Sequence, residues 1–280
     1  MPEGHTIHRL AADLTGRFGG RSVRASSPQG RFEDGAALVD GRTLSGTDAH
    51  GKHLFLGFDG AGTDGAGEGR WVHIHLGLYG TFVHGDGPPP APVGLIRLRL
   101  ATVRAPRAYA DLRGPHTCAL ITGAEKRAVG ERLGPDPLRA DADPERAWRR
   151  ISRSRTTIAA LLMDQKVLAG VGNVYRAEVL FRHGLDPYRA GKDLLRTEWD
   201  TIWTDLVELM REGVRLDRID TVRPEHTPEA MGRPPRVDDH GGEVYVYRRA
   251  GMPCHLCGGA VRTAPLAARN LFWCPTCQKE

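Results

Sequence analysis

The sequence predicts an α+β protein with more than one domain, and three observations support this fold class. Apolar and polar residues alternate within the first 130 residues, helical periodicity follows from about 145 to 214, and four cysteines crowd into the last thirty residues. A chain of 280 residues is long enough for two domains of ordinary size and a small terminal module. We expect domain boundaries that give 1–133, 134–248 and 249–280.

One helix and several strands are predicted in the first domain. Apolar residues recur at helical spacing from Ile7 to Phe18, and two glycines then end the pattern. The segments WVHIHL (71–76) and LIRLRL (95–100) alternate in polarity, which is typical of strands. This part of the chain is therefore predicted to be a mostly antiparallel sheet structure with one leading helix.

Two stretches rich in glycine and proline interrupt the strand patterns, at 59–69 and 85–92. Neither composition can pack into a core, so both stretches predict exposed loops between strands.

The composition changes near 134–144, where a helical region begins. Helical periodicity marks the segments 156–168, 173–184 and 197–213. We expect the first helix to end at Leu168, and we expect Asn173 and Thr197 to cap the next two. Residues 217–243, with prolines and mixed charges, are predicted to form a loop or a partly ordered connector.

Four of the five cysteines form the pattern C-x2-C-x16-C-x2-C, namely Cys254, Cys257, Cys274 and Cys277. Each CxxC pair directs two thiolates at one ion, and the sixteen intervening residues suit a β-hairpin that brings the pairs together tetrahedrally. A module with so few apolar residues needs a metal to fold, and four thiolates fill every position of a structural zinc. The fifth cysteine, Cys118, is expected to be an ordinary thiol.

The charge balance fits a polyanionic partner. Lys and Arg number 39 against 34 Asp and Glu, a formal net charge of +5, which is compatible with nucleic acid but does not require it. No apolar run approaches the roughly 18 residues of a membrane span, and the N-terminus lacks the apolar core of a signal peptide. We therefore expect a cytoplasmic protein.

A glycine-rich turn, Gly170-Val171-Gly172, leads into the helix at Asn173. Such a turn offers backbone N–H groups and the positive end of a helix dipole to a phosphate. The same pattern also suits an ordinary connection between two helices, in which the glycines only end the first one.

Five motifs together resemble the formamidopyrimidine-DNA glycosylase/endonuclease VIII family. These are the opening PEG, GKHLF (51–55), HLGLYG (75–80), LLMDQKVLAGVGNVYRAEVLF (161–181) and the terminal CxxC…CxxCQ. They span nearly the whole chain in the family's order. The resemblance implies an N-terminal β-sandwich flanked by helices, then a helix–two-turn–helix domain with a β-hairpin zinc finger. Within this family, the resemblance is to the endonuclease VIII-like branch, of bacterial and actinobacterial type.

The resemblance assigns the catalytic chemistry to the opening residues. Pro2 matches the family's N-terminal proline, which becomes a nucleophile once Met1 is removed and forms a Schiff base with the sugar. Glu3 matches the general acid/base, and Lys52 in GKHLF matches a lysine that contacts phosphate at the lesion and assists catalysis. Without the other motifs, Glu3 would be interpreted as an ordinary glutamate in the first turn of a helix, and Lys52 as a solvated lysine on an edge strand.

The resemblance also implies the DNA contacts. Gly172 and Asn173 match the helix–two-turn–helix residues that hold backbone phosphate, and Arg269 matches a finger arginine with the same role. Leu78 and Tyr79 match the pair that enters the base stack when a nucleotide is flipped out. For Leu78 and Tyr79 the alternative is two core residues on a strand, although the flanking glycines favour an exposed turn.

The chain departs from the family pattern at His5 and Thr6, where the well-known branches carry a second glutamate. We expect the surrounding network to be rebuilt, through His5 or His8, and substrate preference to be affected more than the core chemistry.

The resemblance implies a bifunctional DNA glycosylase and AP lyase that removes oxidised bases, with pyrimidines favoured, and cleaves the strand by β,δ-elimination. The alternatives are an oxidised-purine glycosylase, of the formamidopyrimidine or 8-oxoguanine type, a catalytically silent protein that binds damaged DNA, and a zinc-finger regulator that binds intact duplex. The expected partner is damaged double-stranded DNA. We expect one structural zinc, no small-molecule cofactor, a monomer, and a location with the bacterial nucleoid.

Overall fold

The computed structural model describes residues 2–59, 69–237 and 242–279. The predicted loop at 59–69 therefore lies almost wholly outside the described residues, and so does part of the predicted connector. The chain divides into two compact units, each described by itself. The N-terminal unit comprises residues 1–2 and 7–132, and the C-terminal unit comprises residues 3–6 and 133–280.

Among its described residues, the N-terminal unit contains three helices and eight strands. The helices are α1 (Gly4–Phe18, whose first three residues belong to the C-terminal unit), α2 (Glu33–Val39) and α3 (Gly123–Arg132). The strands are β1 (Val23–Ser26), β2 (Leu44–His50), β3 (His53–Phe58), β4 (Arg70–His75), β5 (Thr81–Asp86), β6 (Ile96–Thr102), β7 (Ala108–Arg113) and β8 (Thr117–Ile121).

The strands form two four-stranded antiparallel sheets, one in the order β1-β6-β7-β5 and the other in the order β2-β3-β4-β8. One apolar core joins inward residues of both sheets, such as Leu56 and Leu100, to the apolar stripe of α1, such as Leu14. This burial of alternate strand residues against a helix stripe is what the sequence pattern predicts. The predicted α+β fold with an N-terminal sheet structure is confirmed.

Two helices of this unit, α2 and α3, were absent from the prediction of one leading helix, which is therefore wrong on this point. The segment of α3 has no apolar stripe, so periodicity could not reveal it. Its Lys126 instead lies 2.8 Å from a carboxylate oxygen of Asp48, with its ammonium 3.9 Å from the Trp71 ring centre. The predicted loop at 85–92 also begins too early, because Gly85 and Asp86 belong to β5.

The part of the C-terminal unit that the structure describes contains five α-helices and one hairpin. They are α4 (Pro144–Ile151), α5 (Ile158–Met163), α6 (Asn173–Arg182), α7 (Arg196–Leu216), α8 (Pro228–Met231), β9 (Arg262–Leu266) and β10 (Arg269–Trp273). Short 3-10 helices at Gly191–Asp193 and Pro224–His226 lie between them. In the part of the chain that the structure describes, no helix is long and apolar enough to cross a membrane.

The predicted helix ends differ from the observed ones. The helix expected to end at Leu168 ends at Met163, since the Asp164 carbonyl accepts the Val167 and Leu168 N–H groups in a separate turn. The last long helix begins at Arg196 and not after a Thr197 cap, because the Glu198 carboxylate accepts the Leu195 N–H at 2.7 Å.

Strands β9 and β10 form the hairpin expected between the two CxxC pairs. Its turn consists of Ala267 and Ala268, and both have positive φ, at 53° and 56°. Two residues in this left-handed conformation form the tight connection that suits the twist of a hairpin. The register places Arg269 opposite Leu266, at the start of β10.

Candidate active site and zinc centre

Glu3 is fully buried at the N-terminus of α6. Its carboxylate accepts the N–H groups of Gly172 at 3.0 Å, Val174 at 2.9 Å and Tyr175 at 3.5 Å. These donors are among those that a helix leaves without intrahelical partners, and the helix dipole adds to their attraction for a negative charge. Glu3 therefore takes the capping role predicted for Asn173, which is instead the first residue of the helix, with Gly172 as its N-cap.

Gly172 permits this approach through its size and not through an unusual backbone angle. A Cβ atom on Gly172 would lie 2.3 Å from the Glu3 carboxyl carbon, closer than van der Waals contact allows. The adjacent main chain is also tied to the opening segment, since the Gly4 N–H donates to the Gly170 carbonyl at 2.8 Å. The glycines of this turn thus bring Glu3 to the helix N-terminus, where its side chain is rigidly held.

Asn173 connects α6 to the hairpin of the finger. Its amide nitrogen donates to the Asn270 carbonyl at 2.9 Å, and its amide oxygen accepts a hydrogen bond from Arg176. An amide group has two N–H donors, so one remains for a phosphate oxygen. The buried Arg176, which the sequence reasoning missed, also lies 3.5 Å from the Leu266 carbonyl. Arg176 comes three residues after Asn173, a spacing that makes two helical side chains neighbours, so the sequence could have identified it.

Two arginines meet beside Asn173. Burial lowers the pKa of Arg176 to about 10, and the charge of nearby Arg269 acts in the same direction. The Nε atoms of both guanidinium groups are buried and have no hydrogen-bond partner among the described residues. Buried donors without partners are unfavourable, and an anion that bound here would satisfy them.

The four cysteines of the finger converge on one point. Their Sγ atoms all lie within 4.8 Å of one another, with 3.8 Å between Cys254 and Cys277 and 3.4 Å between Cys257 and Cys274. Zinc–sulfur bonds of about 2.3 Å in a tetrahedron place sulfur atoms roughly 3.8 Å apart, so these residues fit zinc. The predicted structural zinc is confirmed, and its four thiolates leave no position for a substrate.

Lys52 occupies the two-residue turn between β2 and β3, after Gly51 with φ of +58°. Leu78 and Tyr79 lie in the turn after β4, where their side chains are 45% and 84% exposed. His53 pairs with His75 across β3 and β4, so both turns stand at the same end of this sheet. The N-terminal unit thus presents a cation and two exposed apolar side chains together.

Behind these turns lies a histidine array, which the sequence reasoning did not single out. It comprises His53, His73, His75 and His116. The His53 Nδ1 and His73 Nε2 atoms are 2.9 Å apart, and the register of β3 and β4 brings His53 opposite His75. Burial lowers the pKa of His53 to about 3 and of His73 to about 4. The alternating histidines of WVHIHL could have indicated this array, because alternate residues of a strand lie on the same face of the sheet.

We expect the melting temperature to fall as the pH is lowered from about 6.5 towards 4. In the unfolded chain these imidazoles accept protons near pH 6.5, whereas in the folded protein His53 and His73 accept them only near pH 3 and 4. The unfolded state therefore binds more protons in this window and is favoured. The change His73→Gln should weaken the pH dependence, and the exposed control His84→Gln should not. Equal dependence in all three proteins, measured by calorimetry, would contradict the assignment.

His5, where the resemblance led us to expect a second glutamate, is a core residue of the C-terminal unit. Its ring is 5% exposed and packs edge-on against Tyr175, with centroids 5.4 Å apart. A Cβ atom on Gly213 would lie 3.0 Å from this ring, so α7 approaches it closely. Burial lowers the pKa of His5 to about 4, and its Nδ1 atom has no hydrogen-bond partner among the described residues.

Known domain families match three consecutive parts of the chain. The Formamidopyrimidine-DNA glycosylase N-terminal domain matches residues 1–118, the Formamidopyrimidine-DNA glycosylase H2TH domain matches 133–224, and the zinc finger found in FPG and IleRS matches 251–279. Endonuclease 8 1 of Mycobacterium tuberculosis is 51% identical, over 99% of this chain and 100% of the relative. The chain belongs to the formamidopyrimidine-DNA glycosylase/endonuclease VIII family.

Members of the formamidopyrimidine-DNA glycosylase/endonuclease VIII family are DNA glycosylases with AP lyase activity, so this chain is a DNA glycosylase of base excision repair. The predicted family is confirmed. Some relatives of this chain are named endonuclease 8 and others are named formamidopyrimidine-DNA glycosylase. A Probable endonuclease 8 2 of Streptomyces coelicolor is 34% identical over 99% of this chain and 94% of the relative. The Formamidopyrimidine-DNA glycosylase of Thermus thermophilus is 30% identical over 100% of this chain and 98% of the relative.

Solved structures of this family share the fold. A complex of the Lactococcus lactis Fpg with DNA containing an abasic site has a TM-score of 0.76 and 21% identity, and covers 99% of this chain and 100% of that chain. A complex of the same protein with DNA containing an oxidised pyrimidine has a TM-score of 0.75 and 20% identity, and covers 100% of both. At this identity the likeness shows the fold, and the roles of individual residues in this family member stay predictions.

Within the C-terminal unit the structure brings together Glu3, Gly172, Asn173 and Arg269. Within the N-terminal unit it groups Lys52, Leu78 and Tyr79 at one end of a sheet. Pro2 is half-buried.

Proposed function

We propose that the protein removes oxidised pyrimidines from double-stranded DNA through a Schiff base on Pro2 and then cleaves the strand by β,δ-elimination. The observation that carries the proposal is the fixed carboxylate of Glu3, which follows Pro2 directly and is held by the Gly172 and Val174 N–H groups. A carboxylate that the main chain fixes in this way can exchange protons beside the reacting sugar without reorientation.

The first chemical step is displacement of the base. With Met1 removed, the Pro2 amine attacks C1′, the bond from C1′ to the base breaks, and the base leaves with a proton. The sugar ring then opens and the nitrogen lone pair forms an iminium. An α-amino group has an ordinary pKa of about 8, well below that of a lysine, so about a tenth of it is unprotonated at pH 7, a far larger fraction than for a lysine.

Strand cleavage follows from the iminium. Loss of a proton from C2′ expels the 3′-phosphate, loss of a second proton expels the 5′-phosphate, and water releases the sugar fragment from Pro2. We assign Glu3 to the proton transfers and Lys52 to the phosphate at the lesion. Asn173 and Arg269 hold backbone phosphate, as the free amide N–H and the partnerless Nε atom support. No small-molecule cofactor takes part in this sequence.

The substrate preference rests on the Leu78–Tyr79 pair and on the relatives named endonuclease 8. We assign both exposed side chains to the gap that a flipped nucleotide leaves in the stack. An oxidised-purine preference is the second candidate, because a relative named Formamidopyrimidine-DNA glycosylase is 30% identical over the whole chain. We propose that the protein acts as a monomer, in the bacterial cytoplasm where its DNA lies.

Borohydride reduction tests the mechanism. We expect the protein without Met1 to become covalently attached to duplex DNA containing an abasic site, because hydride reduces the iminium to a stable amine. Pro2→Ala should give no adduct. Absence of an adduct with the processed wild-type protein would overturn the lyase mechanism. Faster trapping on 8-oxoguanine than on thymine glycol would favour the purine candidate.

A further inference from the structure

The last turn of α4 and the connection from α4 to α5 carry a dense cluster of exposed cations. Residues 149–155 read RRISRSR, with four arginines and no acidic residue, and all four arginines are exposed. Lys166, also exposed, adds a fifth cation, because the Arg150 guanidinium donates to its main-chain carbonyl. We name this surface the arginine cluster: Arg149, Arg150, Arg153, Arg155 and Lys166.

The carboxylates that the structure describes beside the arginine cluster, Asp143 and Asp164, are both exposed to solvent. Arg149 lies 3.7 Å from an Asp143 oxygen, and both side chains are at least half exposed. Neither Arg153 nor Arg155 has a hydrogen-bond or ion-pair partner in the ranges that the structure describes. Six other arginines of the same unit are paired with carboxylates, at Arg139–Asp141, Arg182–Asp205, Arg189–Glu198, Arg196–Glu145, Arg215–Glu212 and Arg218–Asp220.

The main chain beneath Arg153 and Arg155 is held firmly. The Ser154 N–H donates to the Ile151 carbonyl at 2.9 Å, and the Ser154 carbonyl accepts the Lys192 N–H at 2.8 Å. The Thr156 carbonyl accepts the Gly191 N–H at 2.9 Å. The main chain that carries Arg153 and Arg155 is therefore already ordered, which lowers the conformational entropy lost when a polyanion binds there.

The arginine cluster is also connected to the turn that leads into α6. The bond from Arg150 to the Lys166 carbonyl joins α4 to the turn after α5, and this turn continues through Gly170 and Gly172 to Asn173. A duplex held at Asn173 presents further phosphates along its length, at one charge per about 1.7 Å of helix axis. Guanidinium groups suit such a row of phosphates, because each one can donate two N–H groups to a phosphate at once.

We propose that the arginine cluster is a second contact surface for the DNA backbone, in which Arg153 and Arg155 each neutralise a phosphate outside the lesion site. The inference rests on the proposed function only in requiring that duplex DNA is bound. Phosphate contacts carry no base information, so the cluster should raise affinity for damaged and undamaged duplexes alike.

The test is the salt dependence of binding to a duplex with a non-cleavable abasic analogue, followed by fluorescence anisotropy. Each lost phosphate contact makes the slope of log K against log salt less negative by about 0.9. The double variant Arg153→Gln/Arg155→Gln should therefore have a slope less negative by about 1.8. Arg153→Lys/Arg155→Lys, which keeps both charges, should retain the wild-type slope.

The matched control is Arg104→Gln/Arg211→Gln, which removes two other exposed arginines without described partners and should leave the slope unchanged. An unchanged slope in Arg153→Gln/Arg155→Gln would overturn the proposal, and it is also the result expected if the cluster binds an acidic protein. Because the analogue cannot react, failure of Schiff-base trapping would leave this comparison intact.

Discussion

Glu3→Gln is expected to remove both the strand-cleaving activity and a large part of the stability of the C-terminal unit. The carboxylate accepts three N–H groups at the N-terminus of α6, and a glutamine side chain would turn an N–H donor towards some of them. Loss of a buried charge with these partners should lower the free energy of unfolding by about 3 kcal/mol. Loss of the proton-transfer group should lower the cleavage rate roughly 100- to 10,000-fold.

A control variant separates these two effects. Asp205→Asn also breaks a buried interaction of this unit, since the Asp205 carboxylate pairs with Arg182 at 2.6 Å and His183 at 3.1 Å. It should lower stability by a comparable amount, while molecules that remain folded at low temperature keep their cleavage rate. If Glu3→Gln cleaved abasic DNA at the rate of Asp205→Asn per folded molecule, Glu3 would be a capping residue without a chemical role.

Removal of zinc is expected to unfold the finger and, as a consequence, to weaken DNA binding. Structural zinc supplies on the order of 10 kcal/mol to comparable fingers, far more than the few apolar residues here can replace. Cys254→Ser, or a strong chelator, should release the metal and disorder β9 and β10. Arg269 would then lose its fixed position, and the Asn270 carbonyl would no longer hold Asn173. Affinity for duplex DNA should fall by roughly tenfold or more, because phosphate contacts are lost.

The fifth cysteine provides the matched control for this experiment. Cys118 lies on β8 in the other unit and is not part of the four-cysteine cluster. Cys118→Ser should retain one zinc per chain, measured by native mass spectrometry, and wild-type affinity. A Cys254→Ser protein that bound DNA as tightly as Cys118→Ser would show that the finger contributes no contact.

Local signals were sufficient for the zinc centre and for the main strands. The two CxxC pairs identify the four zinc ligands directly. The alternation in WVHIHL and LIRLRL predicts the bounds of β4 and β6 to within a residue or two. The amphipathic stripe similarly predicted α1. In each case the residues that determine the element are close together in the sequence.

Contacts between distant residues explain what could not be predicted. The capping of α6 depends on Glu3, which lies about 170 residues before the helix, so a prediction from neighbouring residues chose Asn173 instead. The helix α3 is held by Lys126 against Asp48 and Trp71, and its own residues carry no stripe. The histidine array requires the register of β3 and β4, which fixes His53 opposite His75.

The turn of the finger hairpin shows how a metal centre relaxes selection on the sequence around it. Ala267 and Ala268 both adopt a conformation that glycine tolerates better, at a cost of about 1 kcal/mol or more for each alanine. In a hairpin that depended on its own turn for stability, such residues would be replaced readily. Because zinc supplies far more free energy than this turn loses, substitutions at 267 and 268 can accumulate nearly neutrally. Among related proteins, sequence variation in the finger should therefore concentrate at this turn.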